Sequence, residues 1–207
     1  MPNSEIKNAV KHLSKHDKVL SRIIKNIGII NLTKRRRYFN LLLGSIIGQQ
    51  LSMYAADAIK MKFNSYFNND PTPETILKTD DSVLRSLGLS NAKVKYVKDL
   101  SNKIILGEIK LAGLSAKSDD EVIAELTKVK GIGNWTAHMF LMFTLGRINV
   151  LPVGDLGIRK AIMLNYDLKN MPDEKKVNSI ALKNKWPPYR SIASLYLWRS
   201  LDTKNES

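Results

Sequence analysis

An all-α fold is what this sequence predicts, and three observations carry that expectation. Residues that cap helices repeatedly precede apolar segments with helical spacing, and glycine follows those segments. No run shows the period-two alternation of a half-buried strand, and Ile148-Asn149-Val150-Leu151 is too short to argue for a sheet. Hydrophobic residues make up 43% of the 207 and charged residues 25%, proportions of a globular chain, with neither low-complexity segments nor a fixed-period repeat.

Taken in order, the elements have local reasons. Met1-Pro2-Asn3-Ser4-Glu5 opens a polar amphipathic segment rather than a signal peptide. From Tyr38 to Phe63 the residues are mostly apolar or small on every side, including Leu41, Leu42, Ile46, Ile47, Ala55, Ala56 and Ile59, which predicts one central helix surrounded by others. The basic run Lys34-Arg35-Arg36-Arg37 stands just ahead of it, where positive charge opposes the macrodipole at about 0.3–1 kcal/mol per residue. Phosphate contact would offset that cost; a solvated turn is the plainer alternative. Thr72-Pro73-Glu74 puts proline at a first helical position, and Gly88 and Gly107 sit where left-handed C-terminal residues belong. Ser118-Asp119-Asp120-Glu121 is a capping box, so a helix is predicted to begin there.

Composition narrows the partners. Thirty-three Lys and Arg against 19 Asp and Glu give +14, beyond the ~2–8 that solubility asks of a small domain, so a polyanion is expected. With no cysteine, disulfides, thiolate-bound zinc and iron–sulfur clusters are excluded. The longest apolar runs, Leu41–Leu43 and Met139–Phe143, fall far short of the ~20 residues that span a bilayer, and an intracellular, unsecreted protein with no membrane association is expected. His12, His16 and His138 show no metal-ligand spacing with a carboxylate cluster, so no catalytic metal is expected.

Chemistry concentrates in Leu126-Thr127-Lys128-Val129-Lys130-Gly131-Ile132-Gly133-Asn134-Trp135-Thr136-Ala137, which reads as a tight turn between two helices spanning about 119–145. Gly131 and Gly133 permit positive φ and a close backbone approach, and the amides opening the second helix suit an anion. Lys128 and Lys130 add charge that positions a phosphate without reading sequence. A compact helix connection is the structural alternative. Gln49-Gln50 interrupts an apolar stretch, and buried amides are costly unless bonded, so both are expected at a cleft or, alternatively, as a pair satisfying helix ends.

These residues in this order, with Pro152-Val153-Gly154-Asp155-Leu156-Gly157-Ile158-Arg159-Lys160, resemble the helix-hairpin-helix (HhH-GPD) DNA glycosylases, and most nearly their 3-methyladenine DNA glycosylase II branch. Ile46-Ile47-Gly48-Gln49-Gln50-Leu51-Ser52 and Trp186-Pro187-Pro188-Tyr189-Arg190-Ser191 leading to Leu197-Trp198 add to the likeness, which runs from about Leu32 to Leu201. The resemblance implies two helical lobes, 36–146 with the hairpin and 1–35 with 147–207, a disordered tail over 202–207, and DNA lying across the cleft between the lobes. It implies a monomer, acting on double-stranded DNA with damaged bases in the cytoplasm (on the nucleoid) or in a nucleus.

By that resemblance Asp155 matches the catalytic aspartate, Trp135, Trp198 and Gln49 the base pocket, and Gln50 the wedge that fills the gap left by a flipped nucleotide. The hairpin's DNA contacts fall on Lys128, Lys130, Gly131, Ile132, Gly133 and Thr136. Carbonyls of Thr127, Val129 and Ile132 match a backbone cation site, a structural monovalent ion being the only cofactor expected. Lyase-active relatives carry a lysine where Trp135 stands, so a monofunctional enzyme is expected, one that leaves an abasic site without nicking the strand. The sequence departs from the family's pattern at Met139, beside His138. Alkylated purines such as 3-methyladenine and 7-methylguanine are cationic leaving groups, so one carboxylate facing an oxocarbenium-like sugar suffices, whether it stabilises charge or orients water. A helix N-cap at Asp155 is the structural alternative. A non-catalytic DNA-binding protein and a glycosylase for hypoxanthine, ethenoadenine or uracil are the functional ones.

Overall fold

The computed structural model describes residues 4–30 and 35–202; Lys34 of the basic run and the tail beyond Asp202 lie outside the described residues. Among the described residues there are twelve α-helices, one short 3-10 turn and no strand. The chain divides into two compact units, one drawn from Met1–Lys34 with Leu141–Ser207 and one from Arg35–Phe140.

The first unit contains α1 (Ser4–His16), α2 (Lys18–Ile27), α10 (Leu156–Asn165), α11 (Glu174–Lys183) and α12 (Arg190–Asp202). Its middle is α12, where Ser191, Ile192, Ala193, Ser194, Tyr196 and Leu197 are all buried. Small residues let neighbours approach, and Ser191 returns the hydrogen bonds that this costs: its Oγ accepts from the Val150 amide at 2.8 Å and donates to the Arg147 carbonyl at 2.7 Å. α1 and α2 close the core with Ile6, Leu13, Leu20 and Ile23.

Between α1 and α2 stands a carboxylate whose burial no local pattern in the sequence marks. Asp17 is 1% exposed. Its Oδ1 caps α2 by accepting from the Val19 and Leu20 amides at 2.9 and 3.0 Å. Its Oδ2 accepts from Trp186 Nε1 at 2.7 Å and from the Tyr166 hydroxyl. Burial, with the Asp17 charge beside it, pushes the Tyr166 hydroxyl far above its ordinary range, so it remains a proton donor. One carboxylate thus ties the α1–α2 junction to the end of α10 and the loop before α12.

The second unit contains α3 (Tyr38–Gly48), α4 (Met53–Tyr66), α5 (Pro73–Lys78), α6 (Asp81–Ser86), α7 (Asn91–Ile105), a 3-10 turn at Leu114–Ala116 and α8 (Asp119–Leu126); α9 (Asn134–Phe143) then carries the chain back into the first. The local signals are present as bonds. Ser118 and Glu121 form the capping box, Thr72 caps α5 ahead of Pro73 in a second box with Thr75, and Gly88 and Gly107 take φ of +105° and +72°.

The single helix expected from Tyr38 to Phe63 is instead two. α3 ends at Gly48, Gln50 takes φ +56°, and Ser52 accepts from the Ala55 amide to start α4. Gln49-Gln50 therefore ends the helix rather than interrupting it, because a serine N-cap two residues on offers the backbone a fresh start. α4 is not central either. Only Ala56 and Phe63 of it are buried, while Met53 is 82% and Met61 70% exposed and Tyr54 also faces solvent. Of the basic run, Arg37 is the residue before α3, makes no side-chain cap, and donates to the Asn69 carbonyl at 3.4 Å.

Candidate active site and nucleic-acid interface

In the first unit, the loop ending at Gly154 leads into α10, and Asp155 is the residue that caps it. Its Oδ1 accepts from the Ile158 amide at 2.7 Å and from Trp198 Nε1 of α12 at 2.8 Å. The N-cap alternative is therefore realised, and it coexists with a second donor that a cap does not need. Both donors stabilise negative charge on that oxygen and fix the direction of the carboxylate. Trp198 is in turn held by Phe143, whose ring stacks on it at 6.0 Å and 29°.

Gly157 makes the arrangement possible. A Cβ there would lie 3.0 Å from Asp155 Oδ1 and 3.0 Å from Trp198 Cδ1 and Nε1. A glycine inside the first turn of a helix costs about 0.5–1 kcal/mol against alanine, so its presence was the available signal for a close approach. Trp198 was expected as a pocket wall; the structure shows it as the hydrogen-bond partner of Asp155. Phe143 and Gly157 were not singled out from the sequence.

In the second unit, α8 and α9 are joined by residues 127–133. Val129 and Ile132 bury their side chains, the Val129 amide donates to Leu126, and the Ile132 amide donates to the Val129 carbonyl at 3.1 Å. That bond leaves the Val129 carbonyl one lone pair for a cation. Gly131 takes φ +83°, and a Cβ on it would fall 2.3 Å from the Tyr96 ring of α7. Its carbonyl accepts from Gln49 Nε2 at 2.7 Å, and the Lys130 amide donates to Asp99 at 2.8 Å. The turn is thus pinned from the residue that follows α3 and from α7.

Several expectations change here. Gly133 has no positive φ and open space around its Cβ direction, so only Gly131 meets the steric argument, and what approaches it is an aromatic ring rather than a backbone. Gln49, half-buried, braces the hairpin turn through the Gly131 carbonyl; it forms no buried pair with Gln50, the alternative expectation. Gln50 is exposed at the break. Lys128 pairs with Glu125 at 3.0 Å, which offsets part of the charge it was expected to present; both it and Lys130 are exposed. The Lys110 amide first, and Lys128 as well, hold the Glu125 carboxyl below its ordinary value. Thr136 and Ile132 are buried, so any phosphate contact from them is through backbone. The first bond of α9 runs from the Ala137 amide to the Gly133 carbonyl, so by helix geometry the amides of Asn134 and Thr136 open toward its N-terminal end.

Trp135 is 50% exposed, not a core tryptophan. His138 is half-buried, and burial lowers its imidazole from the ordinary value with the Asp119 charge opposing. Among the described residues no group of three or more His, Asp or Glu is placed to hold a metal, and no helix is long and apolar enough to cross a membrane.

Comparison with known proteins decides the family. Residues 43–188 match the HhH-GPD superfamily of base excision DNA repair proteins. The chain belongs to this superfamily. A DNA-3-methyladenine glycosylase of Schizosaccharomyces pombe is 34% identical over 197 residues, covering 91% of this chain and 85% of that protein. The solved structure of an S. pombe 3-methyladenine DNA glycosylase in complex with abasic DNA superposes with a TM-score of 0.79 at 32% identity, covering 93% of this chain and 95% of that one. A DNA-3-methyladenine glycosidase from Bacillus halodurans gives 0.83 at 34%, covering 96% and 91%. The all-α HhH-GPD fold expected from the sequence is the fold observed.

The two hairpin glycines separate in a stability measurement. Gly131→Ala is expected to lower the unfolding free energy by about 2–5 kcal/mol, because overpacking against Tyr96 costs roughly 1–3 kcal/mol and a left-handed alanine roughly 1–2 kcal/mol. Gly133→Ala should stay within about 1 kcal/mol of the parent. Urea unfolding of both reads this directly, and equal losses would contradict the Tyr96 contact as the cause.

Proposed function

We propose that this chain is a monofunctional DNA glycosylase of the 3-methyladenine DNA glycosylase II type, hydrolysing the N-glycosidic bond of alkylated, cationic purines and leaving an abasic site. The observation that carries the reading is the Asp155 carboxylate, fixed at the start of α10 by both a backbone amide and the Trp198 indole, in a chain of the base excision repair superfamily.

In this reading the glycosidic electron pair leaves with the base, which neutralises the purine. The sugar develops positive charge at C1′, and Asp155 stabilises it until water adds there and passes its extra proton to solvent. The half-exposed indole of Trp135 offers a cationic base about 0.5–2 kcal/mol of cation–π attraction. Lys130 and the backbone amides opening α9 hold phosphate without reading sequence, and Gln50, exposed with positive φ, is the wedge. The carbonyls of Thr127, Val129 and Ile132 are the proposed seat of a monovalent cation, through which no step passes. Trp135 in place of a lysine leaves no amine there for a Schiff base, hence no strand nicking.

One observation favours a second reading. As the cap of α10, Asp155 has a structural task that would be met in a non-catalytic DNA-binding member too. A release assay on duplexes carrying 3-methyladenine, 7-methylguanine, hypoxanthine, ethenoadenine, uracil and an oxidised purine, with nicking scored separately, separates them. Release of the methylated purines with intact strands is expected. Release of none of the bases establishes the binder, and cleaved strands remove the monofunctional assignment.

A further inference from the structure

The positive charge of this protein is divided unevenly. Arg35–Phe140, which holds the hairpin, has 15 Lys and Arg against 11 Asp and Glu, a balance of +4. Met1–Lys34 with Leu141–Ser207 has 18 against 8, a balance of +10. Most of the charge that first argued for a polyanion is therefore outside the unit that carries the hairpin.

Within that first unit, α1 and α2 account for much of the excess. Ser4–Ile27 contains Lys7, Lys11, Lys15, Lys18, Arg22 and Lys25, all exposed, against Glu5 and the buried Asp17. Helical spacing puts Lys7, Lys11 and Lys15 on the side of α1 away from Ile6, Ala9 and Leu13, at steps of about 6 Å along the axis. Lys18, Arg22 and Lys25 stand likewise opposite Leu20, Ile23 and Ile24 on α2. Like charges at i, i+4 destabilise a helix, and Lys18 at the first position of α2 opposes its dipole. No ion pair described in the structure involves any of the six.

We propose that the outer face of α1 and α2 is a second duplex-binding surface, taking the phosphate backbone of undamaged DNA independently of the hairpin. Duplex DNA carries one charge per ~1.7 Å of axis, so a row of cations at 6 Å steps meets phosphates whatever the sequence. The inference rests on the reading that this chain works on DNA, and it assigns to the first unit the sequence-independent hold that keeps the enzyme on DNA between lesions. Each phosphate neutralised contributes about 0.9 to the slope of log K against log salt concentration.

The test is the full chain with Lys7→Gln, Lys11→Gln and Lys15→Gln together, titrated with an undamaged duplex by fluorescence anisotropy across a salt series. A matched triple, Lys62→Gln, Lys78→Gln and Lys95→Gln, makes the same charge change on the other unit. The α1 set is expected to flatten the salt slope by roughly 2–3 and weaken binding at least tenfold near 0.1 M salt, with the matched set moving it far less. An unchanged slope, or equal flattening by both sets, overturns the proposal. So does an α1 set that keeps its DNA slope while losing binding to anionic lipid vesicles, which would assign the face to a membrane instead. Parent protein that binds duplex with the expected slope yet releases no alkylated base sinks the enzymatic reading and leaves this surface standing.

Discussion

Asp155→Asn is expected to slow release of 3-methyladenine from duplex DNA by about 10²–10³-fold while melting within a few degrees of the parent. The two halves of that expectation come from the same geometry. Asparagine caps helices as well as aspartate does, and its carbonyl oxygen can take the place of Oδ1 as acceptor for the Ile158 amide and Trp198 Nε1. The fold keeps its bonds, and what disappears is the charge. Losing one preorganised group aimed at a developing charge costs roughly 2.7–4 kcal/mol of transition-state stabilisation, which sets the rate loss. Single-turnover release with saturating enzyme reads the chemistry apart from binding. An Asn variant that releases base at the parental rate would reduce Asp155 to a helix cap. Trp198→Phe refines the result: it keeps a ring for Phe143 to stack on but withdraws the indole donor, so a smaller loss of rate is expected.

The largest stability effect is expected at Asp17, far from any chemistry. Asp17→Ala strands the Val19 and Leu20 amides, the Tyr166 hydroxyl and the Trp186 indole, four donors that share one buried carboxylate. Hydrogen bonds to a charged group are worth about 1.5–3 kcal/mol each, and buried donors left without acceptors cost more than the bonds themselves. A loss on the order of 3–5 kcal/mol follows, a large fraction of the ~5–15 kcal/mol that keeps a domain folded. Asp17→Asn should lose less, since one oxygen can still cap α2. Urea unfolding monitored by tryptophan fluorescence checks both, and an Ala variant within 1 kcal/mol of the parent would show that the cluster contributes little.

The sequence made the ends of helices legible because caps are local: Ser118 with Glu121, Thr72 with Pro73 and the glycines at 88 and 107 each act within a few residues. It misjudged 38–63 because apolar composition alone does not reveal a break, and the serine at 52 that restarts the helix was read as part of a motif rather than as a cap. Asp155 and Trp198 were both singled out, but not as a bonded pair, since 43 positions separate them. The cap that Asp17 places on α2 is local, but its tie to Tyr166 and Trp186 was illegible for the same reason, those two partners standing 149 and 169 residues away. Tyr96 left no sign at all, while Gly131 announced that something would come close without saying what.

The break after α3 leaves α4 with two thioethers, at Met53 and Met61, largely open to solvent. Peroxide would convert such side chains to sulfoxides, polar and bulkier, before it reached any sulfur in the interior. Because neither methionine belongs to the buried core, the fold would survive that oxidation, and a cell under mixed oxidative and alkylating attack would keep a folded enzyme whose α4 surface had changed from greasy to wet.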